Sequence, residues 1–204
     1  MYAFQGPLML VGLNHITTLS LIVSLVLHVC GKFSILSYRI QNIQIQSKDN
    51  LNRKIEDFVT DHIKLIRMAN SINSALEVIL LIDLTQTSIR MAVLIYSALL
   101  SPEANLVGTF TYVLYILLVT SLLYLYSFIG ERLAYESTKV TEAYYDTEWQ
   151  ELSVRNQKLL LLAMRSGRRT LYLTAGKVYN FSLYGFIHIM KTSFGYVSLL
   201  RTLT

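Results

Sequence analysis

Charge is missing from two long stretches of this chain, and nothing else in it constrains the fold as much. No Asp, Glu, Lys or Arg stands between Met1 and Gly31, and none between Ala104 and Gly130. A run of about 20 apolar residues is enough to cross the hydrocarbon core of a bilayer. A soluble helix of that length would need a polar face. Charged residues make up 15% of the chain and hydrophobic ones 53%, whereas soluble domains carry roughly 25% charged residues. The chain therefore reads as an integral membrane protein, an all-α polytopic helical bundle in which about four helices span the membrane.

The expected spans cover about 8–36, 72–100, 104–129 and 175–200. The first carries Leu19, Leu21, Ile22, Val23, Leu25 and Val26 but is interrupted by Asn14, His15, Thr17, Thr18 and His28. The second holds Glu77, Asp83 and Arg90, the third is the cleanest, and the fourth is the least apolar. Residues 101–104 form a short turn, since Pro102 cannot continue a helix. The segments 32–71 and 131–170 are long, charged and nearly free of Gly and Pro, and read as helices continuing out of the membrane. Leu152, Leu159, Leu160 and Ala163 fall near helical spacing, so one face of the second segment is expected to be buried. The whole chain, 1–204, reads as a single membrane domain.

Lys and Arg give the orientation, because cytoplasmic loops are enriched in them. Lys32, Arg39, Lys48, Arg53, Lys54, Lys64 and Arg67 lie in one segment, and Arg132, Lys139, Arg155, Lys158, Arg165, Arg168 and Arg169 in the other. The opposite side holds Arg201 alone. Both long segments are therefore expected in the cytoplasm, and the turn and both termini outside. An outward C-terminus is opposite to the arrangement of G-protein-coupled receptors.

Ionisable groups inside a membrane mark either an aqueous pathway or a buried pair. Asp83 and Arg90 fall within about 20° of one another around a helix, and with Glu77 they allow both a vestibule and packing. In the last span Ser182, Gly185, Ile189, Thr192, Tyr196, Leu199 and Leu203 follow spacings of three and four residues. A pore-lining helix with an apolar gate has this pattern. So does a helix packed on small residues, which the pattern alone favours.

Other classes find little support. The net charge of +5 comes without a basic cluster interleaved with aromatics, so no nucleic acid partner is expected. The single cysteine, Cys30, allows no intrachain disulfide and reads as a small buried side chain. His15 and His28 read as packing residues rather than metal ligands. Asn180-Phe181-Ser182 matches the glycosylation sequon but falls at the membrane, and is expected to be unmodified. No nucleotide loop, zinc-protease motif or nucleophile elbow is present, so neither enzyme activity nor a cofactor or metal is expected. The N-terminus lacks the basic region of a signal peptide.

An ordered string of motifs runs through the C-terminal part. It begins with Gly130-Glu131-Arg132, Glu136-Ser137 and an acidic-aromatic stretch ending in Trp149. A Leu-rich basic helix follows from Lys158 to Arg169, then Leu173-Thr174-Ala175-Gly176-Lys177 and Ser182-Leu183. The string closes with Lys191-Thr192-Ser193-Phe194-Gly195-Tyr196. In order and spacing it resembles the insect odorant receptor family. Upstream of Gly130 the likeness lies mainly in span layout.

The resemblance implies the last four of that family's seven spans, with an extracellular C-terminus at the plasma membrane. It implies a tuning-type subunit of an odorant-gated, non-selective cation channel, a hetero-tetramer with a co-receptor subunit in the lipid bilayer, opened by a volatile odorant. The short segment 32–71 is what separates it from the co-receptor type. By the same resemblance the last span lines the pore, with Thr192 and Tyr196 on the pore stripe, Leu199 at the gate and Leu203 one turn outward. The segment 131–170 implies a subunit anchor, with Trp149, Leu152, Leu159 and Lys177 as its candidates. His15 and Leu19 in the first span, and Tyr112 and Tyr115 in the third, become candidates for the odorant pocket. Met1 then marks a shortened gene model or a shortened product. The alternatives are a secondary transporter built on Glu77, Asp83 and Arg90, and a truncated, non-conducting half-receptor.

Overall fold

Neither Gly nor Pro occurs between Lys48 and Leu100, so nothing in the chain interrupts a backbone hydrogen-bond ladder there. A computed structural model, which describes residues 5–43, 48–100, 106–147 and 149–203, shows that whole stretch as one helix. The elements in order are α1 (Gln5–Gln41), α2 (Lys48–Leu100), α3 (Leu106–Tyr145), a 3-10 turn (Trp149–Glu151), α4 (Val154–Gly167), β1 (Leu173–Ala175), β2 (Tyr179–Phe181) and α5 (Leu183–Leu203). The first three helices have 37, 53 and 40 residues. At 1.5 Å per residue these are about 55, 80 and 60 Å long, well beyond the roughly 30 Å of a hydrocarbon core. All three are therefore long enough to continue beyond the bilayer, as expected for 32–71 and 131–170. Among the described residues, three helices can cross a membrane by length and composition, within Leu13–Gln41, Asn52–Val93 and Phe110–Tyr145. Only 33%, 17% and 28% of their most apolar windows are buried, so most of that surface requires lipid or another subunit.

The chain divides into two compact units, 1–72 with 132–171, and 73–131 with 172–204. In the first unit, α1 buries Ile22, Val26, Val29, Phe33, Leu36 and Ile40. These positions are three and four residues apart, one helical stripe. Cys30 is buried there too, as expected of a small apolar side chain. His28 is exposed on α1, so it is not a packing residue within this chain.

His62 of α2 sits at the centre of this unit, 1% exposed. Its ring meets Phe33 of α1 edge-on at 6.3 Å and Tyr144 of α3 at 5.6 Å. Gly167 of α4 closes the fourth side, where a Cβ would lie 3.0 Å from His62 Cε1 and would also collide with Thr141 Oγ1. Helix α4 starts at Ser153, whose hydroxyl accepts from the Asn156 N–H at 3.4 Å. The Asn156 side chain donates to the Asn52 carbonyl at 3.1 Å and to Asn52 Oδ1 at 2.8 Å, tying α4 to the start of α2.

The segment 131–170 is largely helical, as expected, with α3 ending at Tyr145 and α4 beginning at Val154. Two expectations need correction. The buried stripe of α4 is Asn156, Leu160, Ala163 and Gly167, while Leu159 is half-buried. Residues 173–181 form an antiparallel hairpin rather than the start of a span, so the last helix begins at Leu183. The turn expected at 101–104 lies outside the described residues.

Candidate functional site

The hairpin and the helix it launches form the site with the most specific geometry, and both belong to the second unit. Leu173 pairs with Phe181, Thr174 with Asn180 and Ala175 with Tyr179. Gly176 and Lys177 have φ of 56° and 59°, the positive values that a type I′ hairpin turn requires at both central residues. The Val178 N–H closes that turn on the Ala175 carbonyl at 3.1 Å. Alternation along the strands buries Leu173, Ala175 and Phe181.

Two helices hold the hairpin from either side. On α2, the Asn73 side chain both donates to Thr174 Oγ1 and accepts from the Thr174 N–H, each at 2.9 Å. One turn further along, the Glu77 carbonyl accepts from the Gly176 N–H at 3.0 Å. A Cβ on Gly176 would lie 2.6 Å from Leu81 Cδ2. On α3, Gly130 meets the Phe181 backbone so closely that a Cβ would overlap the Phe181 carbonyl oxygen. Tyr126 packs against Phe181 with ring centroids 5.5 Å apart.

The start of α5 is capped twice. The Ser182 hydroxyl accepts from the Gly185 N–H at 3.0 Å, the usual role of an N-cap serine. Glu131 Oε2 accepts from the Leu183 N–H at 3.2 Å, placing a carboxylate at the positive end of the helix dipole. The quoted motifs thus have mechanical meanings that spacing alone did not disclose. Gly130 admits the strand, Glu131 and Ser182 cap the helix, and Gly176-Lys177 makes the turn. Asn73, which no motif pointed to, locks the hairpin to α2.

The expected pore residues lie on α5. Thr192 is exposed, and its hydroxyl donates to the His188 and Ile189 carbonyls at 2.6 and 3.1 Å. Tyr196, Leu199 and Leu203 are in the same helix, with side chains outside the described part. Ser182 is the cap and not a member of the helical stripe. The pocket candidates His15 and Leu19 are half-buried on α1, and Tyr112 and Tyr115 are half-buried on α3. Among the anchor candidates Leu152 is buried, Trp149 and Leu159 are half-buried, and Lys177 is exposed in the hairpin turn.

Glu77 and Asp83 of α2 have partners. Lys177 Nζ lies 4.0 Å from Glu77 Oε1, and Asp83 shares a side-chain hydrogen bond with Tyr126. Arg90 is half-buried.

Helices that outrun the bilayer and leave their apolar surface uncovered define a multi-pass α-helical membrane protein. A family model described as the seven-transmembrane odorant receptor matches residues 1–194, and the chain belongs to that family. It is similar to Odorant receptor 22c of Drosophila melanogaster, with 23% identity over 188 residues, 86% of this chain and 46% of that protein. It is similar to Odorant receptor 10 of Aedes albopictus, with 25% identity over 159 residues, 77% of this chain and 42% of that protein. It also matches the Odorant receptor coreceptor of Ooceraea biroi, with 26% identity over 129 residues, 63% of this chain and 27% of that protein. The chain spans less than half the length of these relatives.

Proposed function

We propose that this chain is part of an olfactory receptor subunit that forms an odorant-gated cation channel with a co-receptor, and that α5 lines the pore. The observation that carries this reading is the anchoring of α5. Its first turn is capped by Ser182 and Glu131, while Tyr184, Ile187, His188 and Thr192 remain exposed on the chain by itself. A helix held firmly at one end, with uncovered faces, suits contact with other subunits and with a permeation path. Leu199 would form the apolar constriction, which gates by excluding water. Thr192 and Tyr196 would line the polar part. His15, Leu19, Tyr112 and Tyr115 would face the odorant, because apolar and aromatic walls with few polar groups suit a volatile ligand. The subunit would lie in the plasma membrane with its C-terminus outside.

Partners for Glu77 and Asp83 within their own unit leave less reason to see a transporter's ion pathway in α2. The test is current recorded from cells expressing the full-length subunit with a co-receptor. Leu199→Ala is expected to raise the current in the absence of odorant, and substitutions at Thr192 to shift the reversal potential. Current that needs G-protein stimulation, or ignores every change along α5, would refute the reading.

A further inference from the structure

Where the first apolar run ends, α1 and α2 enclose a groove of about 380 Å³ within the first unit. Lys32, Ile35 and Arg39 line it from α1, at positions i, i+3 and i+7 of one face. Lys64, Leu65 and Met68 line it from α2, with Asp61 one turn before Lys64. Asp61 engages Lys64 at 3.5 Å, so three cations face one carboxylate and the groove keeps a positive excess. Lys32 is the first charged residue after the apolar run of α1, and Arg67 the last before Glu77. The groove therefore opens at the edge of the hydrocarbon. Ile35 is 54% exposed, and Leu65 and Met68 are half-buried, giving the basic groove an apolar wall.

We infer that this groove binds the headgroup of an anionic phospholipid, with Lys32, Arg39 and Lys64 on the phosphates and Ile35, Leu65 and Met68 against the acyl chain. A soluble anion would satisfy the cations but leave the apolar wall unused, so the lipid is the occupant that fits both halves. Basic pockets between membrane helices on the cytoplasmic side take such headgroups, and anionic lipids concentrate in that leaflet. The inference rests on the inward placement of residues 32–71. It does not require channel activity.

The experiment uses the full-length subunit in phosphatidylcholine nanodiscs, with a phosphatidylinositol bisphosphate analogue that carries a photoreactive acyl chain. Cross-links are expected on peptides containing Ile35 or Leu65. The triple variant Lys32→Gln, Arg39→Gln, Lys64→Gln is expected to lose on the order of a hundredfold in labelling, given a contribution of about 1 kcal/mol from each basic residue near an anionic surface. The variant Lys158→Gln, Arg165→Gln, Arg168→Gln removes the same charge elsewhere and is expected to label normally. Arg39→Gln alone gives a gentler, severalfold loss in a protein whose thermal unfolding can be checked first. Equal loss from both triple variants would reduce the effect to bulk charge and overturn the site. Full competition by soluble inositol trisphosphate would make a free phosphate the occupant and overturn the lipid.

Discussion

A single hydrogen in place of a methyl group at Gly130 lets β2 lie directly on α3. Any Cβ there would overlap the Phe181 carbonyl oxygen, and backbone cannot swing away as a side chain can. Gly130→Ala is expected to lower stability by about 1–3 kcal/mol, the cost of overpacking, seen as a lower unfolding temperature of the protein in detergent. Gly176 carries two constraints, a positive φ and a close Leu81, so Gly176→Val is expected to be worse than Gly176→Ala. His62 supplies a pH dependence. Burial holds its pKa down to about 4, against 6.5 in water. Among the described residues neither of its nitrogens has a hydrogen-bond partner. The unfolded chain therefore binds the proton that the folded one refuses. Stability is complete above pH 6.5 and falls as pH drops toward 4, by at most about 1.4 kcal/mol per pH unit. His62→Phe is expected to flatten that part of the curve in unfolding measured against pH, and an unchanged slope would assign it to other groups. At this scale the sequence showed Gly130, Glu131 and Ser182 as parts of a motif string but not what each one touches. The contacts of Gly130 and Glu131 join residues about fifty positions apart, and no local period reports them.

At the level of elements, legibility followed length. Helices α1, α2 and α3 were plain in the sequence because hydropathy and the scarcity of Gly and Pro act over dozens of residues. The hairpin was missed because its strands have three residues each and adjoin an apolar helix, so the hydropathy of 175–200 merged them into one span. A signal was present: Leu173, Ala175 and Phe181 alternate with polar neighbours around a Gly, which is a hairpin pattern. The break at 146–153 was hidden for the converse reason, since only Ser153 marks it with a cap. The Asn73–Thr174 clamp gives a quantitative check. Asn73→Ala and Thr174→Ala are expected to be non-additive by about 0.5–1.5 kcal/mol in a double-mutant cycle, because each leaves the other's polar group without its partner. Glu131→Ala is expected to cost about 1 kcal/mol by uncapping α5, with Ser182 still in place.

For the whole molecule, the distribution of Lys and Arg predicts an orientation that labelling can test. Val178 at the hairpin tip is 86% exposed, and Cys30 is buried. In a Cys30→Ser background, Val178→Cys is expected to react with a membrane-impermeant thiol reagent only after cells are permeabilised. Reaction in intact cells would put the hairpin outside and reverse the topology. The family itself was legible from the motif string, although the relatives it matches are only 23% to 26% identical. Which ligand the proposed pocket would take was not, because apolar shape leaves no motif.

The hairpin also sets the phase of the last helix. Each residue of an α-helix turns by about 100°, and α5 takes its starting angle from Asn73, Gly130 and Glu131 through the strands. One residue inserted within the first turn of α5 would rotate every later residue by that amount relative to these anchors. The same insertion beyond the last turn of α5 would move nothing before it. Chain length at the start of this helix is therefore expected to matter as much as the identity of the residues that hold it.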